Sequence, residues 1–388
     1  MRILIVNYEY PPLGGGGGVL TRTLVTQLAR RHEVTVLTTR GEGLPAESYD
    51  DGAHIVRVPV VGRRELAKAS MPSMLSFVPA ARRRGAALFG RTPPDVVHTF
   101  FAVPSGPAGA WLARRTGAAH VVTVIGADIH DPSRAISPDR FPPLRRAVTN
   151  VVRGADAVTA ISRDIAQRAK ALTRRAEIEV VSCAVELPSL PKSDRAALGW
   201  SKDEFVVLTI ARLVSRKGLD ALIRATGRAG APVSLEIVGD GPLRRSLEQR
   251  AGAEAPGRVR FAGAVDAAGK NLRLVSADAF ALVSLHEGFG LVYLEAMHAG
   301  LPVVAGDSGG QTDFLHHGED ALLAQPGDVG AIAVALRRLA DDRALRRRLA
   351  EAGSRVAAGI TPARMAAEYE AVYERAVRAR GVGAPASG

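Results

Sequence analysis

Short β-rich runs alternate with stretches of helical spacing along most of the chain. After a polar, Pro-containing segment, Glu186–Glu204, the alternation starts again. The first series of expected strands is Arg2–Asn7, Val34–Thr39, Ile55–Val60, Val96–Phe100, His120–Ile125, Ala157–Ile161 and Ile178–Ser182. Between the first two, Leu20, Leu24, Val25 and Leu28 recur at helical spacing within Val19–Arg31. Strand, helix and strand at this spacing predict a parallel sheet with right-handed crossovers. The second series has strands at Phe205–Ala211, Ser234–Val238, Val259–Phe261, Ala279–Leu285 and Pro302–Ala305. Helices are expected near Leu219–Arg228, Leu243–Ala251, Leu291–Ala299 and Val329–Ala340. The 388 residues therefore divide into two doubly wound α/β domains, 1–187 and 205–361, joined by a linker over 188–204. A final helix within 362–388, Pro362–Arg380, carries Tyr369 and Tyr373 on one face and is expected to pack back against the first domain, before a short tail. In open α/β sheets ligands bind beyond the carboxyl ends of the strands, so two such edges facing a central cleft would make a two-substrate site.

Composition narrows the function. One cysteine, Cys183, excludes a disulfide framework and a Cys-based metal cluster and reads as a buried thiol. The apolar run Ile3–Val6 is too short for a signal peptide, and no apolar stretch approaches the length of a membrane span, so a cytoplasmic protein is expected. Residues 1–185 hold 25 Lys and Arg against 15 Asp and Glu, which is +10 of the chain's +12. The excess includes Arg63-Arg64, Arg82-Arg83-Arg84, Arg114-Arg115 and Arg145-Arg146. An arginine-rich composition explains part of it; phosphate groups or the inner face of an anionic membrane are the partners such a surface attracts. No aromatic ladder or recognition motif accompanies the charge, so nucleic acid is not expected.

The richest segment is Ser284–Gly310. A strand ends at Leu285, the turn Glu287-Gly288-Phe289-Gly290 opens a helix, Gly300 stops it and Pro302 begins the next strand. Free N–H groups at such a helix N-terminus suit a phosphate. Glu287 lies in the turn and Glu295 one turn inside the helix, on the face of Leu291, where carboxylates can accept hydrogen bonds from sugar and ribose hydroxyls. A second motif, Ala211-Arg212-Leu213-Val214-Ser215-Arg216-Lys217-Gly218, puts a planar guanidinium and a lysine five residues apart in a loop, two cations suited to a diphosphate. A third, Asn7–Gly18, ends in five consecutive glycines that allow close backbone approach, but it lacks the acidic residue of a dinucleotide fingerprint.

The glutamate segment, with Ala-Gly-Leu-Pro-Val-Val-Ala and Gly-Gly after it, resembles the signature of the family 4 retaining glycosyltransferases, which have the GT-B fold; the resemblance covers essentially the whole chain. It implies a retaining transfer of a hexosyl or related sugar from a nucleotide sugar, most simply a UDP-sugar, to an acceptor held by the basic first domain. It places Glu287 on the donor sugar, Glu295 on the ribose, and the backbone of Gly288, Phe289, Gly290 and Leu291 on the sugar and diphosphate. It places Arg212 and Lys217 on the diphosphate, Gly263 and Val265 at the base, and Gly15 and Gly16 over the donor phosphates. Arg216 is expected to face solvent. The family's His in a His-Gly-x-Asp turn is here Ile125, followed by Gly126 and Asp128; Asp128 and His130 are the acceptor-side candidates, and His98 reads as packed. Cys183-Ala184 replaces the family's Asn-Gly. No Asp-x-Asp pair occurs, so no metal and no other cofactor are expected. The sequence does not name the acceptor; a lipid-linked or cell-envelope intermediate, a small natural product or a protein are the open classes. The rival readings are a non-catalytic GT-B subunit that binds nucleotide sugar or a partner protein, suggested by Ile125, and a phosphorylase or epimerase on the same architecture.

Overall fold

The computed structural model describes residues 1–63, 70–89, 92–132 and 136–381; Arg64 and the expected tail beyond 381 lie outside them. The chain divides into two compact units, Met1–Glu186 with Thr361–Gly388, and Leu187–Ile360.

In the first unit the elements run β1 (Arg2–Val6), α1 (Gly16–Leu28), β2 (Glu33–Thr39), β3 (Glu47–Asp50), β4 (Ala53–Val58), α2 (Met71–Leu88), β5 (Val96–Phe100), α3 (Gly106–Thr116), β6 (Ala119–Val124), α4 (Pro142–Arg153), β7 (Ala157–Ala160), α5 (Arg163–Thr173) and β8 (Glu179–Val180). The sheet order is β3-β4-β2-β1-β5-β6-β7-β8, parallel except for the β3–β4 hairpin. Strand β1 reads Ile-Leu-Ile-Val after Arg2 and is buried on both faces, as a central parallel strand must be. Strand β3, Glu-Ser-Tyr-Asp, carries no apolar alternation and was not expected; it pairs only with β4, at the edge. Helix α1 begins at Gly16, not at Val19, so three of the five glycines form its first turn.

The second unit runs β9 (Phe205–Ile210), α6 (Leu219–Ala229), β10 (Val233–Val238), α7 (Arg244–Glu254), β11 (Val259–Gly263), α8 (Ala267–Ser276), β12 (Ala279–Leu282), α9 (Leu291–His298), β13 (Val303–Gly306), β14 (Ala321–Ala324), α10 (Val329–Asp341) and α11 (Arg343–Gly359). All six strands are parallel, in the order β11-β10-β9-β12-β13-β14. This is the doubly wound arrangement, whose strand order reverses between β9 and β12. The residues expected to form a linker are instead part of this unit. Trp200 is buried and donates its indole N–H to Glu236 at 3.0 Å, and Arg195 pairs with Asp278 at 2.9 Å. A tryptophan and a charged fork that find partners on the sheet bring the polar segment with them.

The last helix, α12 (Pro362–Arg380), belongs to the first unit. Thr361 caps it and Pro362 starts it. Tyr369 and Tyr373 are buried, and the Tyr373 hydroxyl meets His98 Nδ1 at 2.7 Å. The other ring nitrogen, Nε2, meets the Thr123 hydroxyl at 2.7 Å. His98 is therefore a packed residue with both nitrogens engaged. Burial pushes its pKa down to about 3, and burial pushes nearby His120 down to about 4 against the pull of Asp156. Both rings fold neutral, so the stability they allow is complete above the ordinary value of about 6.5 and falls as pH drops below it. At pH 5 the loss is on the order of 2 kcal/mol for each ring. Urea titrations of the full chain at pH 7.5 and pH 5 should show that loss, and His98→Gln should remove the His98 share. An unchanged pH difference in the variant would contradict this account. Among the described residues no helix is long and apolar enough to cross a membrane.

Candidate functional site

Lys217 and Glu287, singled out in the sequence, meet where the strand order of the second unit reverses. Two loops leave the carboxyl ends of the adjacent strands β9 and β12 and are tied to each other. Leu285 donates its N–H to the Arg216 carbonyl at 2.8 Å. Gly218 has φ +66°, and a side-chain carbon there would lie 2.2 Å from the Val283 carbonyl oxygen, so only glycine lets the loops touch. The contact places Lys217 Nζ 2.5 Å from Glu287 Oε2, and the Ser284 hydroxyl donates to the same oxygen at 3.2 Å. The two side chains are 12% and 11% exposed, open enough for a ligand and dry enough for the charges to matter.

Burial alone would raise the Glu287 carboxyl. The Lys217 ammonium, the Arg216 guanidinium and the hydrogen bonds from Lys217 and Ser284 outweigh it and hold the group below the usual carboxylate range. Glu287 is thus an ionised acceptor of hydrogen bonds. Burial, with Arg216 adding to it, pulls Lys217 below its ordinary value despite the attraction of Glu287. Arg216 does not simply face solvent, as the sequence suggested. It is half-buried, donates to the His286 carbonyl at 3.4 Å, and acts on both members of the pair. Arg212, on the same loop, is exposed, and no acid among the described residues pairs with it.

The glycine-bounded turn has its own support. Gly290, at φ +93°, caps α9, and the space beside it is filled by the Tyr293 ring, which is anchored by its hydroxyl to the Leu282 carbonyl at 2.6 Å. The α9 macrodipole and the unbonded N–H groups of its first turn, which include Leu291, give this end of the helix partial positive charge. Phe289 turns its ring inward, 4.9 Å from Phe314, which leaves the backbone of Gly288–Leu291 as the usable surface. Behind the turn, Gly310 N–H donates to the Glu287 carbonyl at 2.8 Å, while Gly309 lies against the same peptide.

Glu295 is held by a residue the sequence reading passed over. Lys270, on α8, places Nζ 2.7 Å from Glu295 Oε1. Helix α8 follows the turn of Gly263 and Val265, so that turn and Glu295 are linked through one helix. Gly263 has φ +73°, and its carbonyl accepts the Gly239 N–H at 2.8 Å. The available signal was rarity, since Lys270 is one of six lysines in the chain. Lys217 is therefore not the only lysine to engage a signature glutamate.

The first-unit candidates fare differently. Gly15 is the N-cap of α1, and its N–H already donates to Glu9 Oε2 at 3.1 Å; a side-chain carbon at Gly15 or Gly16 would meet nothing within 4 Å. An anion reaching Gly15 would meet the Glu9 carboxylate first. Ile125 stands near Gly17 in this unit. Asp128 is buried, and its carboxylate accepts N–H groups from Ile125 at 3.0 Å, Gly126 at 2.9 Å and Ala102 at 2.7 Å. It holds the turn and presents no free face to an acceptor. His130 Nδ1 lies 2.9 Å from Asp139 Oδ2, a second pinned side chain. Cys183 is buried, and burial raises its thiol above the ordinary range.

Comparisons with known proteins bear on the family and the fold. Residues 15–184 match the Glycosyl transferase 4-like domain and residues 192–356 match Glycosyl transferases group 1. The chain is 31% identical over 362 residues to a GDP-mannose-dependent alpha-(1-6)-phosphatidylinositol monomannoside mannosyltransferase of Mycolicibacterium smegmatis, covering 88% of this chain and 89% of that protein. It is 27% identical to the N-acetyl-alpha-D-glucosaminyl L-malate synthase of Bacillus anthracis, covering 97% and 98%. Among solved structures, sucrose-phosphate synthase from Thermosynechococcus elongatus superposes with a TM-score of 0.83 at 22% identity, over 97% of this chain and 99% of that one. Anabaena HepE in complex with UDP and glucose superposes with a TM-score of 0.77 at 20% identity, over 96% and 99%. With both halves matched by glycosyltransferase family models and the fold shared along the whole chain, the chain belongs to the family 4 glycosyltransferases and has the GT-B fold.

Proposed function

We propose that the protein transfers a glycosyl group from a UDP-sugar, with retention of anomeric configuration and without a metal ion, to an acceptor recognised by the first unit. The observation that carries the donor reading is the 2.5 Å contact between Lys217 and Glu287 at the strand-order reversal. The ammonium has further N–H donors for a diphosphate, and the carboxylate has a second oxygen for sugar hydroxyls. Arg212 supplies an exposed fork on the same loop, paired with no acid among the described residues. Glu295 and Lys270 together offer an acceptor and a donor to a ribose, and the Gly263–Val265 turn offers backbone to the base.

The chemistry asked of these groups is stabilisation of a departing diphosphate. In a retaining reaction on one face of the sugar, the diphosphate oxygen takes the acceptor proton as the new glycosidic bond forms, so no protein base is required. Ile125 in place of a histidine is compatible with this route. Two cations and the α9 N-terminus carry the electrostatic task, which in such sites is usually the largest single contribution. GDP is the second base to consider, because the mannosyltransferase relative is named for GDP-mannose. The acceptor is a lipid-linked or cell-envelope intermediate or a small natural product, and the basic first unit is suited to contact with an anionic membrane.

A thermal-shift screen with UDP, GDP, ADP and their sugar conjugates tests the donor, because ligand bound to the native state raises the melting temperature by mass action. One nucleotide should stabilise well above the others. Proton NMR of the product made with that donor should show the donor's own anomeric configuration, at a rate unchanged by EDTA. An inverted product or a rate abolished by EDTA would overturn the mechanism, and the absence of stabilisation by every nucleotide would overturn the donor reading.

A further inference from the structure

A cavity of about 370 Å³ in the first unit lies outside everything assigned above. It is lined by Asp139, Arg140, Pro142, Arg145, Arg146, Thr149 and Asn150. Five of these residues belong to α4 and fall at positions 142, 145, 146, 149 and 150, the spacing of one helical stripe. Val148, Val151 and Val152 are the buried residues of that helix, so the polar stripe faces away from the core. Nothing in the fold requires two adjacent arginines there.

The charges do not cancel. Arg145 and Arg146 are exposed, and no acid among the described residues pairs with either. Arg140 has Nε 3.6 Å from Asp139 Oδ2. That carboxylate is already engaged: Oδ2 meets His130 Nδ1 at 2.9 Å, and Oδ1 accepts the Ser137 hydroxyl. Three guanidiniums thus line the cavity with one committed carboxylate, together with Thr149 and Asn150. Guanidinium forks match the oxygen geometry of phosphate and bind it in a bidentate way. The volume falls within the roughly 300–1,000 Å³ of ordinary ligand pockets, room for a phosphate and part of what it is esterified to.

We infer that this cavity is a binding site for a phosphate ester, and that it selects acceptors carrying that group. The inference rests on the glycosyltransferase reading, whose acceptor it narrows to a phosphorylated compound. His130 lies between the cavity and the turn after β6: its Nδ1 meets Asp139, and its N–H donates to the Gly126 carbonyl at 2.7 Å. The phosphate can belong to a soluble ester or to a lipid headgroup, and the test separates the two.

Binding of glycerol 3-phosphate, and of vesicles of phosphatidylcholine with and without phosphatidylglycerol, is measured for the wild type, for Arg145→Gln/Arg146→Gln and for Arg114→Gln/Arg115→Gln. The last variant removes the same charge from α3, whose residues do not line the cavity. Binding of the soluble ester, lowered tenfold or more by the α4 substitutions and unaffected by the α3 ones, supports the site with a soluble ligand. The same pattern seen only with phosphatidylglycerol vesicles supports it with a lipid ligand. No binding of either probe by the wild type, or equal loss in the two variants, overturns it. Nucleoside diphosphate binding is measured in parallel. It should be unchanged in the α4 variant, and its absence from the wild type would instead count against the donor reading.

Discussion

Glu287→Gln lowers turnover about a thousandfold, near 4 kcal/mol of transition-state stabilisation. The argument is electrostatic. The native carboxylate is held ionised by Lys217, Arg216 and Ser284. A glutamine keeps the shape but presents one carbonyl oxygen and an amide that can only donate, so sugar hydroxyls lose a charged acceptor. The Lys217 ammonium, 2.5 Å from Glu287 Oε2, loses that countercharge, and a bound diphosphate supplies the replacement. Nucleoside diphosphate affinity should therefore stay within about threefold or improve, since the ammonium–diphosphate bond survives. The split between lost turnover and kept binding is what separates a sugar-gripping acid from a merely structural one. A protein that bound nucleotide weakly and also turned over slowly would indicate a collapsed site.

Gly218→Ala should damage both the stability of the second unit and its site. The added carbon would sit 2.2 Å from the Val283 carbonyl oxygen, at φ +66°, and a backbone oxygen cannot swing aside as a flexible side chain can. Strained φ and the forced shift together cost on the order of 3 kcal/mol. Because the shift separates the two loops that pair Lys217 with Glu287, turnover should fall about a hundredfold as well, the usual penalty of ångström-scale misplacement. Gly230→Ala is the control. It has φ +74°, at the other end of the same helix, with nothing within 4 Å of the added carbon. With ψ −177° it carries backbone strain alone, on the order of 1–3 kcal/mol, and should leave turnover intact. Equal effects of the two substitutions on activity would show that loop contact is not what matters.

The legible parts of the fold were those dictated by short-range pattern. Strands β1 and β9 are near-continuous apolar runs because parallel sheets bury both faces, and Gly290 and Gly300 bound α9 where the chain needs positive φ. Strand β3 escaped because an edge hairpin has no apolar alternation to betray it. The linker was misjudged for a similar reason. Its polarity said loop, but Trp200 and Arg195 find partners far away in sequence, on β10 and beside β12. Of the site, the glutamates and Lys217 could be named from their motifs. Lys270 could not, since its partner Glu295 is 25 residues away and only the meeting of α8 with α9 makes the pair. Asp128 was readable as part of a turn but not as its buried clasp; three backbone donors decide that role, and backbone direction is a property of the fold.

The most direct test is a calorimetric titration of the preferred nucleoside diphosphate into the wild type, Glu287→Gln and Lys217→Met. Loss of a hydrogen bond to a charged group is worth about 1.5–3 kcal/mol, so Lys217→Met should bind roughly ten- to a hundredfold more weakly while Glu287→Gln binds as the wild type does. Wild-type affinity in Lys217→Met would place the diphosphate elsewhere and contradict the donor site described for the second unit.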